Sequence, residues 1–117
     1  MGDRGNIVCL YGDDEKTEIW FYTHWMGSAL PQILARALDR GRERWEDPSY
    51  LARIIFSQML MDSGQLEDLT GFGIGPSMCD ENNPPLWVDL EKKTVNGKSY
   101  EKFIAFYLSD EPEEKEA

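Results

Sequence analysis

The sequence predicts one α+β domain: a small mixed or antiparallel sheet with two to three helices packed on one face, in the order β-β-α-α-β-β-β-α. Three observations lead there. Short β-branched and aromatic runs open the chain and return after residue 70. Two stretches between them carry apolar residues at helical spacing. The chain has 117 residues, 41% hydrophobic and 12% aromatic, enough for one core and too few for two domains.

Asn6 to Tyr11 reads as the first strand, and Gly12 to Lys16 as a polar turn. Thr17 to Trp25 resumes strand character, with Ile19, Trp20, Phe21 and Tyr22 at its centre, so the chain starts as a β-hairpin. Both faces of the second strand are apolar, which places it centrally in a sheet covered on both sides or by an interface.

At Gly27-Ser28 the period changes. Leu30, Ile33, Leu34, Ala37 and Leu38 fall on one helical face, with Ser28 as a cap and Pro31 in the first turn. Gly41 would end this helix, although Arg42 to Trp45 could prolong it. Asp47 as N-cap and Pro48 at the first position open a second helix. Its stripe of Leu51, Ile54, Ile55 and Met59 is widened by Phe56 and Leu60, so it should be the more buried of the two and stop at Gly64.

Gly71 to Pro76 alternates glycine with large apolar residues and reads as a short strand that another group can approach closely. Leu86 to Leu90 is a strand, Thr94-Val95 a short return, and Asn96-Gly97 a tight turn. Ser99 caps a last helix carrying Phe103, Ile104 and Tyr107. The domain spans residues 1–109; residues 110–117 read as a disordered acidic tail.

The net charge is −10, of which the tail contributes −4. Such acidity argues against direct nucleic-acid binding, which rests on Lys and Arg neutralising phosphates. It suits pairing with a basic protein surface. Two distant cysteines, a polar opening and no apolar run near the roughly 18 residues a membrane span needs point to the cytoplasm, without a membrane partner.

The segment Tyr22-Thr23-His24-Trp25-Met26-Gly27-Ser28 carries the most suggestive chemistry. It leads from a strand into a helix start, where free amides and the helix dipole favour an anion. The hairpin brings Arg4 and Asn6 towards His24 and Trp25, and an Arg there would improve an anion site. The plainer explanation is that Trp25 packs, His24 bonds a backbone group, Ser28 only caps, and Arg4 makes a surface pair. Arg53 either reaches solvent or pairs with Asp80 or Asp89.

Other chemistries find little support. One His and two Cys make no zinc site, Asp80 to Asn83 lacks EF-hand spacing, and Gly71 to Gly75 opens no helix. No cofactor and no metal are expected. An enzyme would have to rest on His24 with Asp3 or Asp80, or with Cys79, so no catalytic residue is assigned.

Four segments, Met1 to Val8, Tyr22 to Pro31, Trp45 to Phe56 and Thr70 to Ile74, resemble a family of small bacteriophage and bacterial proteins. These open Gly-Asp-Arg-x-Asn-Ile and carry a Tyr-Thr-His-Trp motif. The likeness covers most of the chain and ends at the acidic tail; around Met26, where the family usually has a second glycine or small polar residue, this chain departs modestly. It implies a phage-type accessory protein of the host cytoplasm, of a kind that counters host defence by sequestering a nucleotide signal or blocking a defence protein.

Two readings follow. In the first, a nucleotide-like or phosphorylated ligand is held by Arg4, Asn6, Tyr22, His24, Trp25, Gly27, Ser28 and Arg53. In the second, an acidic interaction protein occupies the basic surface of a host defence or nucleic-acid-binding protein. Exposed apolar residues are compatible with a homodimer in either case.

Overall fold

The computed structural model describes residues 2–12, 17–63, 70–79 and 81–108. Its centre is a six-stranded mixed sheet, with three α-helices among the described residues. The strands are β1 (Gly5–Tyr11), β2 (Thr17–Thr23), β3 (Phe72–Gly75), β4 (Leu86–Asp89), β5 (Thr94–Val95) and β6 (Lys98–Ser99). The helices are α1 (Leu30–Arg40), α2 (Pro48–Ser63) and α3 (Tyr100–Leu108). Across the sheet the order is β3-β2-β1-β4-β5-β6, with β1 parallel to β4 and every other pair antiparallel.

The opening hairpin forms as its sequence requires, with Gly5 opposite Thr23 and Asn6 opposite Tyr22. Because strand side chains alternate, Ile7, Cys9, Phe21, Leu86 and Val88 all turn to one face. There they join the buried residues of all three helices in the main core. The opposite face carries Val8, Leu10 and Trp20 as a small buried cluster of its own. No described helix covers that face.

Several expectations are corrected. β2 ends at Thr23, two residues short of Trp25, because the chain turns at Met26 into a single 3-10 turn over Gly27–Ala29. α1 follows that turn and stops where expected, the Gly41 amide donating to Ala37 O at 2.9 Å. A separate 3-10 turn over Arg42–Arg44 follows instead of a longer helix. α1, not α2, is the more buried helix: Ile33, Leu34, Ala35, Ala37 and Leu38 are all fully buried. The reason is position, since α1 packs against both α2 and α3. Its alanines permit the close approach, and bonds from Arg36 to Asp62 and from Arg40 to Gln58 join its polar side to α2.

The region after β4 gains a strand that the sequence did not announce. Asn96 and Gly97 both have positive φ, 50° and 84°, the backbone of a tight hairpin turn. That turn lets Lys98-Ser99 pair back onto Thr94-Val95 as β6. Ser99 Oγ then accepts the Lys102 amide at 3.2 Å, capping α3 as expected. The expected stop at Gly64, the residue Asp80 and the tail over 110–117 lie outside the described residues. No described helix is long and apolar enough to cross a membrane.

Candidate functional site

The strand-to-helix junction is built around the chain's own N-terminal segment. The Asp3 amide donates to His24 O at 2.9 Å, and the Gly27 amide donates to Asp3 O at 2.6 Å. This lays Asp3 against the 3-10 turn that precedes α1. Its carboxylate accepts the Ser28 amide at 3.0 and 3.1 Å, the Ser28 hydroxyl at 2.6 Å and Asn83 Nδ2 at 2.9 Å. Ser28 therefore does not cap the helix with its oxygen; it donates its hydroxyl to an anion. The anion position that the sequence suggested for a ligand holds the Asp3 carboxylate.

That arrangement has a pH signature. The Ser28 hydroxyl, then its amide, then Asn83 hold the Asp3 carboxyl below its ordinary value. A carboxyl depressed in the folded state binds protons less readily there than in the unfolded chain. Its stabilising contribution is thus present in full above the unfolded value and is lost as pH falls through the folded one. Acid titration of thermal stability should show a steeper loss for the native chain than for Asp3→Asn, with the two curves converging at the acid end. Parallel curves would contradict this role.

The eight residues singled out from sequence divide into three groups. Asn6 and Tyr22 fall by alternation on the sheet face without helices, and Arg4 and His24 flank them just beyond the strand ends. There Arg4 Nε donates to Asn82 Oδ1 at 3.2 Å, and Tyr22 Oη shares a 3.0 Å hydrogen bond with His24 Nδ1. Asn6 is fully buried. Trp25 is 45% exposed, edge-on to His24 at 5.5 Å between ring centroids, with its ring over Gly71.

Gly27 and Ser28 form the second group. With Pro31, Asn83, Pro84 and Tyr107 they line a half-open cavity of about 240 Å³. Arg53 stands alone as the third. It is exposed on α2, bonded at 3.5 Å to Ser57 Oγ, in a separate cleft with Arg40, Gln58 and Met61. Asp89 is not its partner, because the Asp89 carboxylate accepts the Glu91 and Lys92 amides at 3.0 and 2.9 Å.

Sequence reasoning missed the helix-free face as a unit. Val8 of β1, Trp20 of β2 and Trp87 of β4 lie side by side, in register Val8↔Trp20 and Val8↔Trp87. The two indoles meet edge-to-face at 5.3 Å over the buried Val8. Trp20 Nε1 donates to Glu18 Oε1 at 2.8 Å, and Trp87 remains 38% exposed. Beside them Gly73 and Gly75 of β3 carry no side chain opposite Tyr22 and Trp20. This leaves a hollow of about 180 Å³, also lined by Ser77 and Cys79. The available signal was strand alternation: Glu18, Trp20 and Tyr22 share one parity, and Trp87 has the opposite parity to Leu86 and Val88.

Burial pushes the Cys9 thiol up to about 12, which keeps it protonated and inert. His24 Nδ1 is engaged by Tyr22 rather than by an acid. Among the described residues no group of His, Cys, Asp and Glu is placed to hold a metal ion. No protein-family model matches the chain, and no curated protein or solved structure matches it.

Proposed function

We propose that this protein is an acidic binding module that receives a basic partner protein on the helix-free face of its sheet. The observation that carries this reading is the Trp20–Trp87 pair, packed on Val8 and left open to solvent at Trp87. A helix-free sheet face with exposed indole, a carboxylate on the neighbouring Trp20, and a chain charge of −10 suits an incoming Arg or Lys. Aromatic anchors of this kind carry most of the energy of protein interfaces. The hollow beside them, at 180 Å³, is smaller than the roughly 300–1,000 Å³ typical of small-molecule sites. The likeness to phage accessory proteins fits a host protein as the target.

The test is a titration with an arginine-rich peptide, followed by tryptophan fluorescence at low and high salt. Affinity should fall steeply with salt, because exposed charges are screened. Trp87→Ala should weaken binding by about tenfold or more, the ~1.4 kcal/mol expected for an interface aromatic. Binding indifferent to salt and to Trp87→Ala would sink the proposal.

A nucleotide-like or phosphorylated ligand at the junction is the second reading, and the cavity beside Gly27 and Ser28 favours it. Such a ligand must displace the Asp3 carboxylate from Ser28. A panel of nucleotides should then raise the unfolding temperature, by a stabilisation of roughly 2.7 kcal/mol at a hundredfold excess over Kd.

A further inference from the structure

β3 is the terminal strand of the sheet. Its ladder to β2 includes the His24 amide donating to Gly71 O at 2.8 Å. In an antiparallel pair alternate residues bond the same neighbour, so Gly71, Gly73 and Gly75 face β2. Phe72 and Ile74 then turn their N–H and C=O groups outward.

Natural edge strands are guarded by charge, proline or shortness. β6, at the other end of the sheet, is two residues long and carries Lys98. β3 bears no charge, and neither does any residue from Thr70 to Cys79, in a chain that is 29% charged. Ile74 at its centre is 61% exposed.

We propose that this edge is a self-association site, where a second copy adds its own β3 antiparallel about a two-fold axis at Gly73. The occupant follows from register and charge. With Gly73 opposite Gly73, Phe72 of each copy stands opposite Ile74 of the other, and the outward N–H and C=O groups pair without remainder. On the helix side this covers each exposed Ile74 with a Phe72 ring. On the other side the glycines meet, joining the two hollows beside Tyr22 into one groove.

Two identical chains of charge −10 repel wherever carboxylates come together, and the stretch from Thr70 to Cys79 lets them meet without doing so. A basic or mixed-charge partner strand gains nothing from an uncharged edge. The dimer also sets both helix-free faces on the same side of one sheet, so a bivalent partner would bind by avidity.

The experiment uses the full chain. Light scattering across micromolar to millimolar concentrations should show the mass rising towards twice 13.5 kDa. Opposed residues of a non-hydrogen-bonded pair have Cα atoms ~4.5 Å apart, inside the disulfide range. A Cβ at Gly73 would meet nothing nearer than 3.9 Å, so cysteine fits there. In a Cys79→Ser background, Gly73→Cys should therefore cross-link to a covalent dimer under mild oxidation.

Ile74→Pro removes an outward N–H without touching the ladder to β2, and should abolish both the mass increase and the cross-link. Should Ile74→Pro unfold the chain, Ile74→Lys serves instead: it keeps the N–H and sets a charge at the edge. A chain that stays monomeric throughout would overturn the proposal. So would a dimer that fails to cross-link at Gly73→Cys or that survives the Ile74 variants.

Discussion

Leu34→Ala should destabilise the protein by about 2–5 kcal/mol, the range for emptying a packed leucine site. Leu34 is fully buried in the main core on α1, the helix held between α2 and α3 over the sheet. A helix with neighbours on both flanks cannot shift to fill a cavity without opening a gap elsewhere, so the cost should sit in the upper half of that range. In urea unfolding the midpoint should fall while the slope stays constant, since the slope reports exposed surface. Leu34→Met, nearly equal in volume, should cost less than about 1.5 kcal/mol. A loss below about 1 kcal/mol for Leu34→Ala would mean that α1 is not the centre of the core.

Gly27→Ala is expected to be the most damaging change at the junction. An added Cβ would stand 2.6 Å from Arg4 O and 2.7 Å from Arg4 C, and would collide with Asn83 Nδ2. Asn83 can swing aside, but the Arg4 backbone cannot. The Gly27 amide is bonded to Asp3 O at 2.6 Å, so the two segments must separate together. Overpacking of this kind costs about 1–3 kcal/mol, and here it also releases the Asp3 carboxylate from Ser28. The variant should thus lose the acid-dependent stability assigned to Asp3 along with its thermal stability.

Gly71→Ala makes the contrast. Its Cβ would collide with the Trp25 ring, which is half exposed and free to swing outward, so the loss should be clearly smaller. Equal losses at Gly27 and Gly71 would contradict the view that backbone contact decides the outcome.

Several local signals in the sequence are borne out, whereas the contacts between distant segments are not legible in it. The Asn96-Gly97 turn, the Ser99 cap and the opening hairpin each depend on a few neighbouring residues, and each forms. Asp89 is the local exception: it caps its own turn two and three residues on, where the sequence suggested a partner for Arg53.

By contrast, the anion that satisfies Ser28 comes from a residue 25 positions away, and Asn83 joins it from 80 positions away. Nothing near Ser28 in the sequence marks it as already partnered. The burial of α1 was hidden because Ala35 and Ala37 carry little hydrophobic signal, yet they are what allow neighbours to close in. The aromatic face was missed for a related reason. Trp20 and Trp87 lie far apart in the chain, and only the parallel pairing of β1 with β4 sets them against Val8.

The proposed binding surface is the helix-free face of the sheet. The most direct measurement is a map of amide and indole NMR shifts during titration with the arginine-rich peptide. The Trp87 and Trp20 indole signals should move first, with the amides of Val8 to Leu10 and Trp20 to Tyr22. Shifts confined to Gly27, Ser28 and Asn83, or to the outer surfaces of α1 and α2, would contradict it.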